Sequence, residues 1–276
     1  MTRHRITGAA LVAGIAGNPV AHSLSPVIHN AWLEAAGIDG AYVPFAPADA
    51  AGFQALVAAG RAGLILGLNI TAPFKQQAFA LADEATGAAR LTGSANILQF
   101  IDGRVLADSS DGIGLMLGLK THAPDLDVNG RAVVMLGAGG AARAGAGALV
   151  EAGAEVRIVN RSRDRAEALA ADLGPSVRVM VLEEAVRNAV LVINALSVQP
   201  DIDLGLLAAD TVVMDMTYKP LNTPLLLAAR ARGLPTVDGL SMLIGQAAPS
   251  FQALFRRPPP PMDLRAMLMA HLGETA

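Results

Sequence analysis

A chain of 276 residues, 53% hydrophobic and only 16% charged, has the length for two domains and the apolar content to bury a core in each, which excludes a disordered polymer. Its 21 Lys plus Arg and 24 Asp plus Glu give a net charge of −3 with no long run of either sign, so a nucleic-acid groove and an anionic-membrane patch lack compositional support. Cysteine is absent, which excludes disulfides, thiolate metal sites and a thiol nucleophile, and no apolar stretch runs uninterrupted for the ~18 residues a membrane span needs.

Arg3, His4 and Arg5 before the apolar stretch Ile6 to Gly17 imitate a secretory signal, but the run Ala10 to Ala16 leading into Gly17-Asn18-Pro19 reads as a first buried strand of a soluble, cytoplasmic protein. Further strands are expected at Ala41 to Phe45, Leu64 to Ile70, Ser94 to Gln99 and Arg104 to Ala107, with helices starting near Pro26, Asp49, Pro73 and Asp83. A helix from Asp111 to Leu119 precedes the polar stretch Thr121 to Gly130, the candidate break in the chain. Beyond it strands are expected at Ala132 to Leu136, Glu155 to Val159, Val177 to Val181, Leu191 to Asn194, Val212 to Met216 and Thr236 to Val237. Two helices, Leu240 to Phe255 and Met262 to Leu272, flank a stiff turn at Pro258 to Pro261 and can pack back on the first domain. Short Val/Ile/Leu runs alternating with Ala-rich helical patterns make the fold class α/β.

Gly137-Ala138-Gly139-Gly140-Ala141 stands between a strand and an Ala-rich helix. The first glycine permits the tight turn and the second admits a pyrophosphate against backbone. The small third residue lets helix and strand pack closely. An acidic residue about 20 positions on would bind a ribose 2′-hydroxyl. Here the second strand ends in Asn160-Arg161-Ser162-Arg163, with Arg165 beyond, so NADP is favoured over NAD, with Arg161 as the best anchor for a 2′-phosphate.

Two strand-turn-helix junctions mark the first half. Ser23 and Ser25 stand two apart before Pro26, where hydroxyls and free helix amides suit a carboxylate, although Ser25 read as local structure alone would simply cap the helix. Asn69-Ile70-Thr71-Ala72-Pro73-Phe74-Lys75 brings a lysine to a first helical turn, where the helix dipole disfavours it and a chemical role becomes more plausible. His22 and His29 lack ligand spacing and read as structural, and no metal is expected.

Seven ordered blocks resemble the shikimate dehydrogenase family: His22 to Pro26, Asn69 to Lys75, Thr92 to Asn96, Gly137 to Ala141, Asn160 to Ser162, Asp215 to Pro220 and Met242 to Ala248. The resemblance implies a substrate-binding and catalytic domain at 1–112, with 241–276 packing back on it, and a Rossmann-type NADP-binding domain at 113–240. It implies the reversible NADP-dependent reduction of 3-dehydroshikimate to shikimate, by a monomer or homodimer. By position, Lys75 and Asp111 match the catalytic pair, while Ser23, Ser25, Thr71, Asn96, Tyr218 and Gln246 match substrate contacts. Gly137, Gly139, Gly140, Ala141, Asn160, Arg161, Ser162, Arg165, Asn194, Met216, Gly239 and Met242 match the cofactor side.

The chain departs from the family pattern at Ser109-Ser110 before Asp111, at Leu196 to Gln199 after Asn194-Ala195, and at Ile97. These departures suggest a divergent member and leave open a dehydrogenase acting on quinate, an aminated shikimate or another cyclic polyol acid, or a ligand sensor without turnover. The serine pair leans toward shikimate, because quinate carries an extra C1 hydroxyl beside its carboxylate.

Overall fold

The computed structural model describes residues 6–196 and 198–273, so Arg3, His4 and Arg5 of the signal-like start, and Ser197, lie outside the described residues. The chain divides into two compact units, one made of Met1–Ser110 and Ala247–Ala276 and the other of Asp111–Gln246.

In the first unit β1 (Leu11–Ala16), β2 (Gly40–Phe45), β3 (Gly67–Ile70), β4 (Glu84–Ala85), β5 (Ile97–Ile101) and β6 (Arg104–Asp108) form a mixed sheet in the order β2-β1-β3-β5-β6-β4. β1 pairs parallel with β2 and β3, whereas β5 runs antiparallel to β3 and β6. The β5–β6 hairpin turns on Asp102 and Gly103, both at positive φ, the conformation that matches strand twist in a two-residue loop. Helices α1 (Ser25–Ala35), α2 (Ala50–Arg61), α3 (Lys75–Ala80) and α4 (Gly87–Thr92) connect the strands. Their starts follow from local chemistry: Asp49 accepts from the Gly52 amide at 2.8 Å, and Thr86 from that of Ala89 at 3.3 Å. Phe53 on α2 stacks on Phe74 at 4.8 Å within a core of Val57, Leu68, Leu98 and Phe100, which anchors the residue immediately before Lys75.

Several expected boundaries differ, and in the first unit three of the differences have a visible cause. β3 begins at Gly67, not Leu64, because Gly63 at positive φ closes α2 and the Leu64 amide bonds back to Ala59 O, leaving Leu64 exposed. β5 begins at Ile97, not Ser94, because the amides of Ser94 and Ala95 are bonded to Ala89 O and Lys75 O. The helix expected from Asp83 is split into β4 and α4. Arg61 grips the Asp83 carboxylate at 2.6 and 3.2 Å, and the Val105 amide donates to it at 2.6 Å, so this residue is tied to the sheet. The Arg61 hydrogen bonds hold the Asp83 carboxyl below its usual range.

The second unit carries β7 (Ala132–Leu136), β8 (Glu155–Val159), β9 (Val177–Val179), β10 (Ala189–Asn194), β11 (Val212–Asp215) and β12 (Thr236–Val237). The order β12-β11-β10-β7-β8-β9 is parallel throughout, the doubly wound arrangement of dinucleotide-binding domains, and it reverses between β7 and β10. Helices α5 (Asp111–His122), α6 (Gly140–Glu151), α7 (Arg163–Leu173), α8 (Leu182–Ala185) and α9 (Pro224–Ala231) complete it. The polar stretch 121–130 joins α5 to β7 inside this unit, pinned by the Gly130 amide on Gly153 O, so the break in composition is a connection and not a boundary.

The C-terminal helices α10 (Gly239–Phe255) and α11 (Leu264–Leu272) leave the sheet, and α11 packs on α1 in the first unit. The second junction falls inside α10, so residues 241–246, expected with the first unit, group with the second. Glycines on α5 explain this: a methyl on Gly114 would stand 2.7 Å from Met242 O and 2.8 Å from Gln246 Cβ, so the two backbones approach as only glycine allows. α11 starts at Leu264 because Asp263 accepts from the Ala266 amide at 2.9 Å. Among the described residues no helix is long and apolar enough to cross a membrane.

His29 is enclosed by Trp32, Tyr42 and Phe251 and stacks on Tyr42 at 4.1 Å, and among the described residues its Nδ1 has no hydrogen-bond partner. Burial lowers its pKa from 6.5 to about 3, so the folded protein holds it neutral while the unfolded chain protonates it below pH 6.5. This loses stability as pH falls. The difference in unfolding free energy between wild type and His29→Phe should move against wild type by up to about 1.4 kcal/mol per pH unit below pH 6, measured by denaturant titration. A difference independent of pH between 5 and 7 would contradict the buried neutral imidazole.

Candidate active site

At the point where the strand order reverses, the ends of β7, β8 and β10 surround a cavity of about 560 Å³, within the size range of cofactor sites. Gly137, Gly139, Asn160, Arg161 and Arg165 line it, so five of the residues picked from the motif meet in one place. Gly137 sits at φ +118, and a methyl there would stand 3.3 Å from Leu196 and 3.4 Å from Ala195 O, so the turn after β7 demands glycine. Gly139 precedes α6, which Gly140 and Ala141 open, and no side chain caps that helix, leaving its first amides for an anion.

Basic side chains around α7 divide into two groups. Arg163 pairs with Glu167 at 2.7 Å and Arg143 with Asp172, whereas among the described residues Arg161 and Arg165 make no ion pair. Asn160 donates from Nδ2 to Ser162 O at 2.7 Å, which fixes the turn carrying Arg161, while Ser162 immediately precedes α7. Neutral Asn160 in place of a carboxylate, with two arginines beside it, fits a dinucleotide with an added phosphate. Sequence reasoning missed the opposite wall, made of Leu182, Leu196, Val198, Pro200 and Asp201. Leu196 is visible in the sequence only as a departure, and Asp201 carries no motif signal at all.

The remaining cofactor-side residues do other work in the described geometry. Asn194 is buried, its Oδ1 accepts from the Leu196 amide at 3.1 Å, and its carbonyl accepts from Met216 at 2.9 Å, so it shapes the end of β10. Gly239 lies against Met216, where a methyl would stand 2.3 Å from its carbonyl oxygen, and buried Met242 packs its backbone on Gly114. None of these four lines the cavity. The departure at Gln199 has a structural explanation, because its Oε1 accepts from the Leu225 amide at 3.2 Å in the first turn of α9.

In the first unit the strand ends gather the other candidates. Ser23 Oγ accepts from the Ser25 amide at 3.2 Å in the turn before α1, and Ser25, the first residue of the helix, does not take the capping role open to it, since no side chain caps α1. Thr71 follows β3, its amide on Ala16 O at 2.9 Å, and packs so closely on Gly17 that a methyl there would stand 2.2 Å from its Cγ2. Lys75 opens α3, and its carbonyl accepts from the Ala95 amide at 2.9 Å, which ties it to the residue before Asn96. Buried Asn96 accepts through Oδ1 from the Ser110 amide at 2.9 Å and donates through Nδ2 to Ser110 Oγ at 3.2 Å. Asp111, itself buried, follows Ser110 directly and opens α5, so Asn96 holds the chain immediately before it. The departure at Ile97 is a core position, 1% exposed.

Tyr218 and Gln246 belong to the second unit. Tyr218 is half-buried beyond β11, and burial raises its pKa, so it stays a neutral phenol. Gln246 stands on α10 against Gly114. Among the described residues no three His, Cys, Asp or Glu are grouped to hold a metal.

Comparison with known proteins finds shikimate dehydrogenases among the relatives and the solved structures. The family described as shikimate dehydrogenase substrate binding domain matches residues 15–98, and that described as shikimate/quinate 5-dehydrogenase matches residues 119–204. The shikimate dehydrogenase (NADP(+)) of Caulobacter vibrioides is 48% identical over 98% of each chain, and that of Dinoroseobacter shibae 44% identical over 94% of this chain and 97% of its own. The shikimate 5-dehydrogenase of Thermus thermophilus, solved in complex with NADP(H) and shikimate, superposes with a TM-score of 0.82 at 35% identity. The match covers 91% of this chain and 95% of that one.

The glycine turn yields a test. Gly137→Ala forces a side chain into φ +118 and toward Leu196, and should weaken NADP⁺ binding by about tenfold or more in a fluorescence titration, the equivalent of about 1–2 kcal/mol of strain. Affinity within twofold of wild type would show that the turn does not need glycine.

Proposed function

The chain belongs to the shikimate dehydrogenase family, and from that premise we propose how its residues divide the work of an NADP-dependent oxidoreductase that interconverts 3-dehydroshikimate and shikimate. The cofactor assignment is carried by the end of β8, where Asn160 and Arg161 stand in place of a carboxylate and Arg165 lines the same cavity. In this assignment Gly137, Gly139, Gly140 and Ala141 receive the pyrophosphate, and Arg161, with Ser162 and Arg165, receives the 2′-phosphate. Asn194, Met216, Gly239 and Met242 act from behind, by shaping the backbone around the nicotinamide end.

Bound NADP supplies or accepts the hydride. The chain's own residues bind the acid and manage its proton. Ser23 and Ser25 take the carboxylate, whereas Thr71, Asn96, Tyr218 and Gln246 take ring hydroxyls or complete the carboxylate site. In the reducing direction negative charge develops on the substrate's carbonyl oxygen, and the Lys75 ammonium stabilises it and delivers the proton, with Asp111 orienting the group. In the oxidising direction the pair takes the hydroxyl proton as the hydride leaves carbon, so protons and electrons balance. The Asn96 to Ser110 bonds support this reading, because they hold Asp111 through its preceding residue.

Lys75→Ala should lower kcat by about 10²- to 10⁴-fold while NADP⁺ binding stays within about twofold. Near-normal turnover in that variant would remove the catalytic role. Arg161→Ala should raise the KM for NADP⁺ about tenfold or more, as the loss of a charge-assisted pair implies, and leave that for NAD⁺ nearly unchanged. Equal losses for both cofactors would contradict the 2′-phosphate assignment.

A further inference from the structure

Inside the first unit, polar side chains from distant parts of the sequence join end to end. Tyr42 on β2 donates from its phenol to Asn69 Oδ1 on β3 at 2.8 Å. Asn69 Nδ2 then donates to Ser250 Oγ on α10 at 3.0 Å, a contact between residues 181 apart in sequence, and to Asn96 O at 3.2 Å. Ser250 Oγ lies 3.4 Å from Ser110 Oγ, which accepts from Asn96 Nδ2 at 3.2 Å. At the other end burial raises the pKa of the Tyr42 phenol, and the Ser25 side chain beside it works in the opposite direction. Tyr42, Ser250, Ser110 and Asn96 are all buried.

A core built for stability alone would fill this volume with apolar side chains, because a buried polar chain offsets its desolvation only when every link is made. The links here are also directional. Burial keeps the Tyr42 phenol protonated, its hydroxyl proton makes Asn69 Oδ1 the acceptor, and the Asn69 amide therefore points both its donors toward Ser250 and Asn96. The orientation at one end thus constrains the other. Both ends are side chains assigned above to the acid substrate.

We propose that Ser250 and Tyr42 are positioning residues for substrate binding: joined through Asn69, they set the spacing between Ser25 and the Asn96–Ser110 pair, so that an acid presenting a carboxylate to one and a hydroxyl to the other meets both without rearrangement. This rests on the ligand roles given to Ser25 and Asn96. Ser250 and Tyr42 need not touch the substrate. Removing either hydroxyl leaves the surroundings supported, since Asn69 keeps its bond to Asn96 O without Ser250, and a phenylalanine at 42 keeps the stack on His29.

The test is steady-state kinetics of the full chain with shikimate and NADP⁺ for Ser250→Ala, Tyr42→Phe and the double variant. Each single change should raise the KM for shikimate about three- to thirtyfold and leave that for NADP⁺ within twofold. Because both cut one chain, the double variant should show less than the product of the two effects. Multiplying effects, an equal rise in both KM values, or an unchanged KM for shikimate would each overturn the positioning role. Ser25→Ala separates the two readings. A raised KM for shikimate there, with none in the other two variants, overturns the positioning role alone, and no rise in Ser25→Ala overturns the ligand assignment and the positioning role together.

Discussion

Main-chain amides can cradle a pyrophosphate only where a strand gives way to a helix with no side chain in the path, and the second unit is organised around that requirement. The strand order reverses between β7 and β10, which opens a crevice at their ends. Gly137, at φ +118, turns the chain there without a Cβ to meet Leu196, and α6 then presents uncapped amides to the same space. Everything else in the cavity follows from which neighbours that crevice has. β8 ends beside it and brings Asn160 and Arg161, and β10 ends opposite and brings Ala195 and Leu196.

The first unit meets a different constraint, that of holding a small polar acid with side chains mounted on separate strands. Its solution is to bury the supports. Asn96 bonds Ser110 through both its Oδ1 and its Nδ2, fixing the residue before Asp111, and Ser250 and Asn69 brace that pair from α10 and β3. Close backbone packing serves the same end, since Thr71 stands so near residue 17 that a methyl there would lie 2.2 Å from its Cγ2. Rigid supports of this kind reduce the reorganisation a ligand must drive, and small displacements of reacting groups carry large rate effects.

What was legible in the sequence lies at strand ends with glycine or proline beside it. The Gly137 turn, the Ser23 and Ser25 pair and Lys75 carry their context within a few residues, so residue type and spacing sufficed to place Gly137 at the cavity and Ser25 and Lys75 at the starts of α1 and α3. The α/β class and the C-terminal return followed from alternation of patterns and the lack of further strands. What stayed hidden depends on contacts between distant residues. Asp83 reads as a helix start until Arg61 and Val105 claim its carboxylate, and Gln199 reads as a lost glycine until the Leu225 amide shows what it bonds. Asp201 on the cavity wall and Ser250 in the buried chain have no local signature, because their meaning comes entirely from what stands opposite. The placement of Met242 and Gln246 with the second unit likewise depends on Gly114, far earlier in the chain.

Initial-rate measurement of reduced nicotinamide with shikimate or quinate against NADP⁺ or NAD⁺ tests the central claim most directly, because it asks both units at once for their assigned ligands. The account predicts rapid turnover with shikimate and NADP⁺, little with NAD⁺, and little with quinate. Preference for quinate, preference for NAD⁺, or no turnover from folded protein that still binds NADP⁺ would contradict it.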